Sequence, residues 1–213
     1  MKPDLRLYLI ADGGLVERNR LLNIVEEAIS AGIRSVQYRE KSLSRKEAYE
    51  YARQLRGLTR GRRVTFIIND YLDIALAVDA DGLHIGQDDL PLGIARHLLG
   101  RGKIIGVSAH NIKEAKEAEE GGADYIGVGP IFETKSKKTG PPAGVRVIKE
   151  IRKAVGLPII AISGINRSNI GMVLDSGADG AALSSAIMRA ENIGKSVKEL
   201  YGIIASCHPS LFN

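Results

Sequence analysis

The sequence predicts an α/β fold, a single-domain (β/α)8 TIM barrel over residues 1–213. Short apolar segments alternate with longer amphipathic ones, as parallel strands and their crossover helices do. The 213 residues, shared among eight units, leave about 27 for each strand–helix pair, a normal length in a closed barrel. Small-residue motifs that can end a helix recur just before strands. A doubly wound open sheet is the alternative, but eight similar units without a central break favour closure.

The predicted strands are rich in Val, Ile, Leu and Ala, which indicates burial on both faces. In chain order they are Leu5–Asp12, Ser35–Glu40, Thr65–Asp70, Gly82–Gly86, Lys103–Ser108, Tyr125–Ile131, Pro158–Gly164 and Gly180–Ser184. Apolar residues at three- and four-residue spacing predict helices, among them Asn19–Ala31, Arg45–Arg60, Ile112–Gly121 and Val145–Val155. The motifs before strands are Ser30–Ile33, Val78–Asp81, Gly121–Asp124 and Ser176–Asp179, where glycine and short polar residues suit a turn.

Composition narrows the class of partner. Hydrophobic residues make up 44 % and charged residues 26 %, enough for a full core, and the net charge of +5 suits phosphorylated small molecules. Three Phe, seven Tyr and no Trp offer few stacking platforms for single-stranded nucleic acid. No apolar run reaches the roughly 20 residues of a membrane span. The single cysteine, Cys207, fits a reducing compartment, so we expect a cytoplasmic protein whose oligomeric state, monomer or homo-oligomer, stays open.

Polar side chains follow the second predicted strand. Gln37, Arg39 and Lys41 alternate at two-residue spacing and therefore share one face. In a (β/α)8 barrel, functional groups gather at the carboxyl ends of the strands. An amide, a guanidinium and an ammonium there predict a site for a polyanion such as pyrophosphate. A solvated strand edge is the alternative, which a closed barrel disfavours.

Two aspartates follow neighbouring strands, Asp70 after the third and Asp89 after the fourth. Magnesium takes one or two protein carboxylates and completes its shell with phosphates and water. The pair beside the predicted polyanion site therefore predicts a Mg2+–pyrophosphate site. Asp70 has a second interpretation, as the N-cap of the following helix.

Three later loops predict phosphate contacts. The loop after the sixth strand, with Thr134, Ser136 and Lys137, alternates hydroxyls with lysines and turns on Gly140–Pro142, so we interpret it as a phosphate clasp and lid. Simple solvation of a lysine-rich loop is the alternative. Gly164 after strand seven and Ser184–Ser185 after strand eight occupy the position of the phosphate site usual in these barrels.

The four histidines indicate less about function than the residues above. His84 lies inside a strand and is expected to pack or hydrogen-bond structurally, whereas His97 and His208 are expected at the surface. No His or Cys spacing suggests zinc. His110 begins the fifth loop and is a weak acid–base candidate.

In this order, the blocks resemble the thiamine-phosphate synthase family over nearly the whole chain. The matching residues are Gln37-x-Arg39-Glu40-Lys41, Ile68-Asn69-Asp70, His84-x-Gly86-Gln87-x-Asp89, Gly129-Pro130-Ile131-Phe132-x-Thr134, Lys137 and Gly164-Ile165. The resemblance implies a transferase of thiamine biosynthesis. It would join 4-amino-5-hydroxymethyl-2-methylpyrimidine diphosphate to 4-methyl-5-(2-phosphooxyethyl)thiazole and release pyrophosphate.

The resemblance also implies residue roles. Asp70 and Asp89 would hold Mg2+. Gln37, Arg39, Lys41, Asn69 and Lys137 would bind the pyrimidine diphosphate, with Ser108 near the pyrimidine amino group. Thr134 and Ser136 would bind the thiazole phosphate, and Gly164 with the amides of Ser184 and Ser185 would complete that pocket. Of these residues, Ser108, Lys137 and Arg39 are the expected catalytic groups, because the reaction needs charge neutralisation and placement more than a strong base.

The sequence departs from the family pattern at four positions. Ser136 stands where Thr is usual, Ser163 replaces the first glycine of Gly-Gly-Ile, Glu133 replaces a frequent proline, and Ala11 replaces a common threonine. Glu133 and Ser163 bear most on the thiazole phosphate, because an added acid near a phosphate is unfavourable.

Two other functions remain as alternatives. The related thiazole tautomerase TenI uses a histidine placed similarly to His110 and needs no magnesium. Against it, this chain keeps Asp70, Asp89 and the Gln37–Lys41 groups that such tautomerases tend to lose. A non-catalytic barrel that binds thiamine precursors or a protein partner is the other alternative.

Overall fold

The computed structural model describes residues 3–134 and 141–207, which fold around a closed barrel of eight parallel strands. The strands are β1 Leu7–Asp12, β2 Ser35–Arg39, β3 Thr65–Asn69, β4 Gly82–Ile85, β5 Ile104–Ala109, β6 Tyr125–Val128, β7 Ile159–Ile162 and β8 Gly180–Leu183. Each strand pairs with the next in sequence, and β8 pairs with β1, which closes the sheet. The predicted barrel is confirmed.

The sixth strand is shorter than predicted. It ends at Val128, three residues before Ile131. Pro130 has no N–H to donate to the ladder, which interrupts strand pairing there. The chain nevertheless stays beside β7, because Ile131 N–H donates to the carbonyl of Ile162 over 3.0 Å.

Helices connect the strands and cover the outside of the barrel. They are α1 Arg18–Ser30, α2 Arg45–Thr59, α3 Leu72–Ala77, α4 Leu92–Leu99, α5 Ile112–Glu120, α6 Arg146–Arg152, α7 Ile170–Asp175, α8 Ser185–Met188 and α9 Ile193–Cys207. The four helices named from periodicity begin within one residue of their predicted starts. α2 begins at a capping box in which Ser44 and Glu47 exchange side-chain and backbone hydrogen bonds. None of the described helices is long and apolar enough to cross a membrane.

Two apolar layers follow from the alternation of side chains along each strand. One face of the sheet packs against the helices and forms the larger core. The other face fills the barrel with a smaller cluster that includes Tyr8, Ile10, Ile67, Tyr125 and Ile160. Because Ile10 is in register with Gln37, and Asp12 with Arg39, the polar residues of β2 belong to this interior face. They are stacked along the barrel axis toward the carboxyl ends of the strands.

Candidate functional site

The carboxyl end of β2 presents its polar residues inward, as the two-residue spacing predicts. Gln37 is 3 % exposed and donates from Nε2 to the Tyr8 hydroxyl over 3.0 Å. Arg39 donates from Nη1 to Asp12 Oδ2 over 2.6 Å, and the Lys41 ammonium contacts the Asp70 carboxylate. Three groups that can donate to an anion therefore line one side of the barrel mouth, and two of them carry positive charge.

The predicted carboxylate pair is brought together beside Lys41. Asp70 has a left-handed backbone, φ 61°, and its N–H donates to the carbonyl of His84 over 2.8 Å. Burial raises the pKa of Asp70, Lys41 opposes this effect, and the neighbouring Asp89 carboxyl raises the pKa again. Asp89 itself accepts the Gly86 N–H over 2.7 Å. A buried carboxyl with a second one beside it needs a nearby positive charge if both are to be ionised.

The interpretation of Asp70 as a helix cap is wrong. The N-cap of α3 is Tyr71, and no side-chain hydrogen bond caps that helix. The left-handed turn instead directs the Asp70 side chain toward Lys41 and Asp89. Asn69 precedes it at the interior register position beside His84 of β4.

The chemistry of this donor set fits magnesium. Among residues 3–134 and 141–207, no cluster of three or more His, Cys, Asp or Glu side chains could hold a metal by itself. Mg2+ is commonly bound by one or two carboxylates, with substrate phosphates and water as its other ligands. Asp70 and Asp89 supply that number, next to cations suited to the phosphates.

A pocket between the ends of β1, β7 and β8 collects most of the predicted phosphate residues. Its lining residues are Ile10, Asp12, Arg39, Thr134, Ile162, Ser163, Gly164, Ile165, Ala182, Leu183, Ser184 and Ser185. The Ser184 hydroxyl donates to the carbonyl of Ile10 over 2.8 Å and so ties β8 to β1. Ser185 is exposed at the first position of α8. The pocket thus combines an aliphatic wall with small residues, hydroxyls and the Arg39 guanidinium, whose charge is paired with Asp12. The small residues and the guanidinium suit a phosphate.

The turn after β7 contains one of the sequence departures, Ser163. Ser163 and Gly164 both have left-handed backbones, φ 80° and 68°. A Cβ at Gly164 would stand 2.7 Å from Cβ of Phe132 and still closer to the carbonyl of Glu133, so only glycine fits. Ser163 adopts the conformation that the usual glycine would take without strain. Glu133 is exposed, and Ala11 is fully buried in the core between sheet and helices, away from the pocket.

The remaining predicted residues divide into three groups. Ser108 is half-buried at the interior end of β5, where its hydroxyl bonds to His84. Ser136 and Lys137 lie outside the described residues. His110 is exposed, bonds through Nδ1 to Glu114 over 2.8 Å, and lines a separate hollow beside α6.

Sequence reasoning missed three polar residues of this region. Asp12 orients Arg39, and the hydroxyls of Tyr8 and Tyr125 meet inside the barrel at 3.1 Å. Asp12 could have been found by the rule applied to the other strands, since it ends β1. The tyrosines could have been found from the period of two, which places them on the face shared with Gln37 and His84.

Anion-binding groups gathered at the carboxyl end of a closed parallel barrel are typical of (β/α)8-barrel enzymes that act on phosphorylated small molecules. Comparison with known proteins narrows this class. The chain belongs to the thiamine monophosphate synthase family, whose model matches residues 7–187.

Individual relatives agree with the family match. A thiamine-phosphate synthase of Syntrophomonas wolfei is 48 % identical over 94 % of this chain and 96 % of its own length. A thiamine-phosphate synthase of Chloroflexus aurantiacus is 46 % identical over 95 % of this chain and 94 % of its own. The solved structure of thiamine phosphate pyrophosphorylase from Pyrococcus furiosus superimposes with a TM-score of 0.86, at 38 % identity, over 95 % of this chain and 96 % of that one.

Proposed function

We propose that this chain is a thiamine-phosphate synthase. It would condense the pyrimidine diphosphate with the thiazole phosphate to give thiamine phosphate and pyrophosphate. The observation that carries the proposal is the Lys41 ammonium against Asp70, with Asp89 adjacent and Arg39 on the same side of the mouth. A diphosphate bound through a divalent cation requires this combination of carboxylates and cations. The names of the relatives support the same reaction.

The diphosphate is assigned to the mouth formed by β2, β3 and β4. Gln37, Arg39 and Lys41, together with Asn69 and Lys137, would bind its oxygens. Asp70 and Asp89 would hold Mg2+, which supplies positive charge to the departing pyrophosphate. Arg39 is half-buried and already oriented by Asp12, so its guanidinium pays little entropy when an anion binds.

The chemical step is a dissociative substitution. The bond between the pyrimidine methylene carbon and the diphosphate oxygen breaks, and its electron pair leaves with pyrophosphate. The pyrimidine amino group donates electrons to the cation that forms, and the thiazole nitrogen then attacks the methylene carbon. The cations of the mouth stabilise the charge that develops on the leaving group, and Ser108 holds the pyrimidine. No protein nucleophile is required.

The thiazole phosphate is assigned to the pocket lined by Thr134, Gly164 and the Ser184–Ser185 turn. Ser136, which is outside the described residues, would add its hydroxyl as the family resemblance implies. Arg39 lines both this pocket and the mouth of β2, so one guanidinium lies between the two substrates. This placement would bring the thiazole nitrogen toward the pyrimidine methylene carbon, which is the main requirement of a two-substrate condensation.

The test is an assay with both phosphorylated substrates in the presence of Mg2+ or EDTA. Thiamine phosphate is measured by fluorescence after oxidation to thiochrome. Magnesium-dependent product is expected, and Asp70→Asn and Asp89→Asn should each lower the rate at least about 100-fold, as expected when charge stabilisation in a transition state is lost. Asp73→Asn is the matched control, because Asp73 is exposed on α3, where it forms a surface ion pair with Arg45 across 3.7 Å.

Absence of product from folded protein under both conditions would refute the proposal. The thiazole tautomerase would then be assayed with His110→Ala. Product formation that is unaffected by EDTA and by both aspartate substitutions would refute the assigned role of magnesium while leaving the condensation intact.

We also place the enzyme in the cytoplasm, where the exposed Cys207 would stay reduced.

A further inference from the structure

A continuous chain of hydrogen bonds crosses the interior of the barrel between two of the proposed substrate-binding residues. Gln37 Nε2 lies 3.0 Å from the Tyr8 hydroxyl, which lies 3.1 Å from the Tyr125 hydroxyl. Tyr125 is 3.0 Å from Nδ1 of His84, whose Nε2 is 3.0 Å from Oγ of Ser108. The chain therefore joins β2 to β5 through β1, β6 and β4, below the mouth.

The interior of the barrel accommodates this row of hydrogen-bonded side chains. The His84 and Tyr125 rings stack with centroids 5.5 Å apart, and Tyr8 meets Tyr125 edge-on at 6.1 Å. Glycines on β5 and β6 provide the room: a Cβ at Gly106 would overlap the Tyr125 ring, and one at Gly127 would stand 2.9 Å from Cε1 of His84. Glycine within a strand is destabilising relative to alanine. The two glycines thus weaken β5 and β6 but make room for the Tyr125 and His84 rings.

The direction of each hydrogen bond follows from what each atom can donate. Burial raises the pKa of both phenols well above the ordinary value, so each keeps its hydrogen. Gln37 Nε2 can only donate, so Tyr8 accepts from it and has Tyr125 as the acceptor for its own hydrogen. The opposite arrangement would leave a buried hydroxyl hydrogen without a partner, which is unfavourable.

The same reasoning gives the donor and acceptor of each hydrogen bond from Tyr125 to Ser108. Tyr125 accepts from Tyr8 and donates to Nδ1 of His84, so the imidazole carries its hydrogen on Nε2. That hydrogen is donated to Ser108 Oγ. The hydroxyl hydrogen of Ser108 is then left over, and no acceptor for it is found among the residues that the structure describes.

We propose that His84 is a positioning residue that is held in its neutral Nε2–H form by Tyr125, and that it directs the Ser108 hydroxyl hydrogen to an acceptor atom of the bound substrate. This rests on the proposed function of the mouth. For an aminopyrimidine, the acceptor would be a ring nitrogen next to the amino group. The same hydrogen-bond network fixes Gln37 at its other end. It therefore positions both the Gln37 amide and the Ser108 hydroxyl, which we assign to the same substrate.

The tautomer is tested without reference to catalysis. The intact chain, labelled with 15N-histidine, is examined by long-range 15N–1H correlation spectra, and His84 is assigned by the signals absent from His84→Gln. If that variant does not fold, replacing His97, His110 and His208 with glutamine leaves His84 as the only histidine. A neutral Nε2–H imidazole is expected. A Nδ1–H tautomer or a doubly protonated ring would overturn the proposal.

The positioning role is tested by kinetics with a matched pair of substitutions. A glutamine amide can reach the place of Nε2, whereas an asparagine amide reaches only the place of Nδ1. His84→Asn should lower kcat about ten-fold, the effect of one lost hydrogen bond, and His84→Gln should restore most of that loss. KM for the thiazole phosphate should stay within about two-fold in both, since a lost hydrogen bond to the pyrimidine alone does not touch it.

Coupling with Ser108 separates positioning from mere structural support. Ser108→Ala should lower kcat in the native background and change it less than about two-fold in the His84→Asn background. Additive losses would overturn the proposal. Tyr201→Phe is the control: it removes a hydroxyl that bonds to the Gly32 carbonyl at 3.0 Å, far from the mouth, and should leave kcat unchanged. If no thiamine phosphate forms at all, the proposed function fails, while the tautomer measurement still decides the hydrogen-bond direction.

Discussion

Two of the four described residues other than glycine that have a positive φ lie where strands end. Asp70 and Ser163 follow β3 and β7, and both have a positive φ that residues other than glycine rarely adopt. At Asp70 the strained turn delivers a carboxylate to Lys41 and Asp89. At Ser163 the turn lets Gly164 approach the Phe132–Glu133 backbone, and the carbonyl of Ser163 accepts the Phe132 N–H over 3.1 Å. Strain held in place by surrounding contacts is common at functional sites.

Replacing Ser163 with glycine tests this strain. Left-handed backbone costs a residue with a Cβ about 1–2 kcal/mol, and glycine loses part of that gain through its more flexible unfolded state. Ser163→Gly should therefore raise the free energy of unfolding by about 0.5–1 kcal/mol, measured by urea denaturation. Ser168→Gly is the control, because Ser168 has no positive φ and should lose stability. A loss at Ser163 as large as at Ser168 would contradict the interpretation.

Glu40 holds the turn that presents Lys41. Its Oε1 accepts the N–H groups of Lys41, Ser42 and Leu43 over 2.9, 2.7 and 3.2 Å, and the Ser42 hydroxyl over 2.8 Å. Burial raises the pKa of this carboxyl, but the hydrogen bonds from Ser42, Leu43 and Lys41 outweigh burial and hold the pKa below its ordinary value. The ionised form is therefore bound by the folded state, and its stabilising effect is present above the unfolded pKa of about 4.3 and lost as the pH falls below it.

Glu40→Gln should cost about 1–2 kcal/mol at pH 7, because a charged acceptor of backbone N–H groups becomes a neutral one. The difference from the native chain should shrink as the pH is lowered from 7 toward 3, because the native carboxylate takes up a proton as the pH falls through its lowered pKa. Urea denaturation at both pH values measures it. Glu26→Gln is the control, since Glu26 is half-exposed and pairs with Arg62 at the surface across 3.1 Å. A difference that is constant with pH would contradict the role of charge.

At the scale of elements, one arrangement of side chains recurs at the amino ends of the strands. An aspartate before β4, β6 or β8 accepts a backbone N–H from the preceding strand and pairs with an arginine of an earlier helix. The three sets are Asp81 with Phe66 and Arg56, Asp124 with Ile105 and Arg96, and Asp179 with Ile159 and Arg152. The distances from backbone nitrogen to carboxylate are 2.8, 2.7 and 2.7 Å. The period is two strand–helix units, which ties neighbouring units together in pairs.

The corresponding position before β2 has no aspartate–arginine pair of this kind. Before β2 the corresponding residue is Arg34, and from α9 the Tyr201 hydroxyl donates to the carbonyl of Gly32 over 3.0 Å. Arg96 donates in the same way to the carbonyl of Gly122, also over 3.0 Å. The junction between α9 and β2 thus closes the repeat with a tyrosine instead of an ion pair.

Removing one aspartate of the repeat should destabilise the whole barrel. Asp124→Ala leaves the Ile105 N–H without its acceptor and removes the ion-pair partner of Arg96, which keeps only backbone carbonyls as acceptors. We therefore expect a loss of about 1–3 kcal/mol in the free energy of unfolding. Glu117→Ala is the control, because Glu117 only approaches Lys113 on the exposed face of α5, across 3.8 Å, and such pairs contribute about 0.3–0.5 kcal/mol. Equal losses in urea denaturation would show that the repeat has no special role.

The sequence predicted the elements well and their side-chain partners less well. Periodicity predicted all eight strands, since burial on both faces leaves continuous apolar runs. The motif Gly121–Asp124 predicts a turn, but not the partners of Asp124. These are an arginine 28 residues away and a backbone N–H 19 residues away, and both depend on closure of the barrel. The position of Asp70 was predicted, while its left-handed turn was not, because no local pattern distinguishes that turn from a helix cap.

Over the whole molecule, the two ends of the barrel are built on opposite principles. At the amino end, Asp81, Asp124 and Asp179 each pair with an arginine and accept a backbone N–H. At the carboxyl end, Asp70 and Asp89 place like charges together and the turns of Asp70 and Ser163 are strained. We therefore expect the carboxyl end, which carries the candidate site, to contribute less to the stability of the barrel than the amino end. Such an arrangement is expected where activity and stability make opposing demands.

Two substitutions of the same kind, one at each end, test this division. Asp89→Asn removes the like charge beside the buried Asp70 and retains an acceptor for the Gly86 N–H. In EDTA it should raise Tm by about 2–4 °C, the shift expected for about 1 kcal/mol in a chain of this size, although synthesis would be lost. Asp124→Asn should lower Tm and leave the rate per folded molecule unchanged, because it weakens only the pair with Arg96 and the bond to Ile105. A fall in Tm for both variants would show that the carboxylate pair is not a source of instability, and that the carboxyl end is supported by its own contacts.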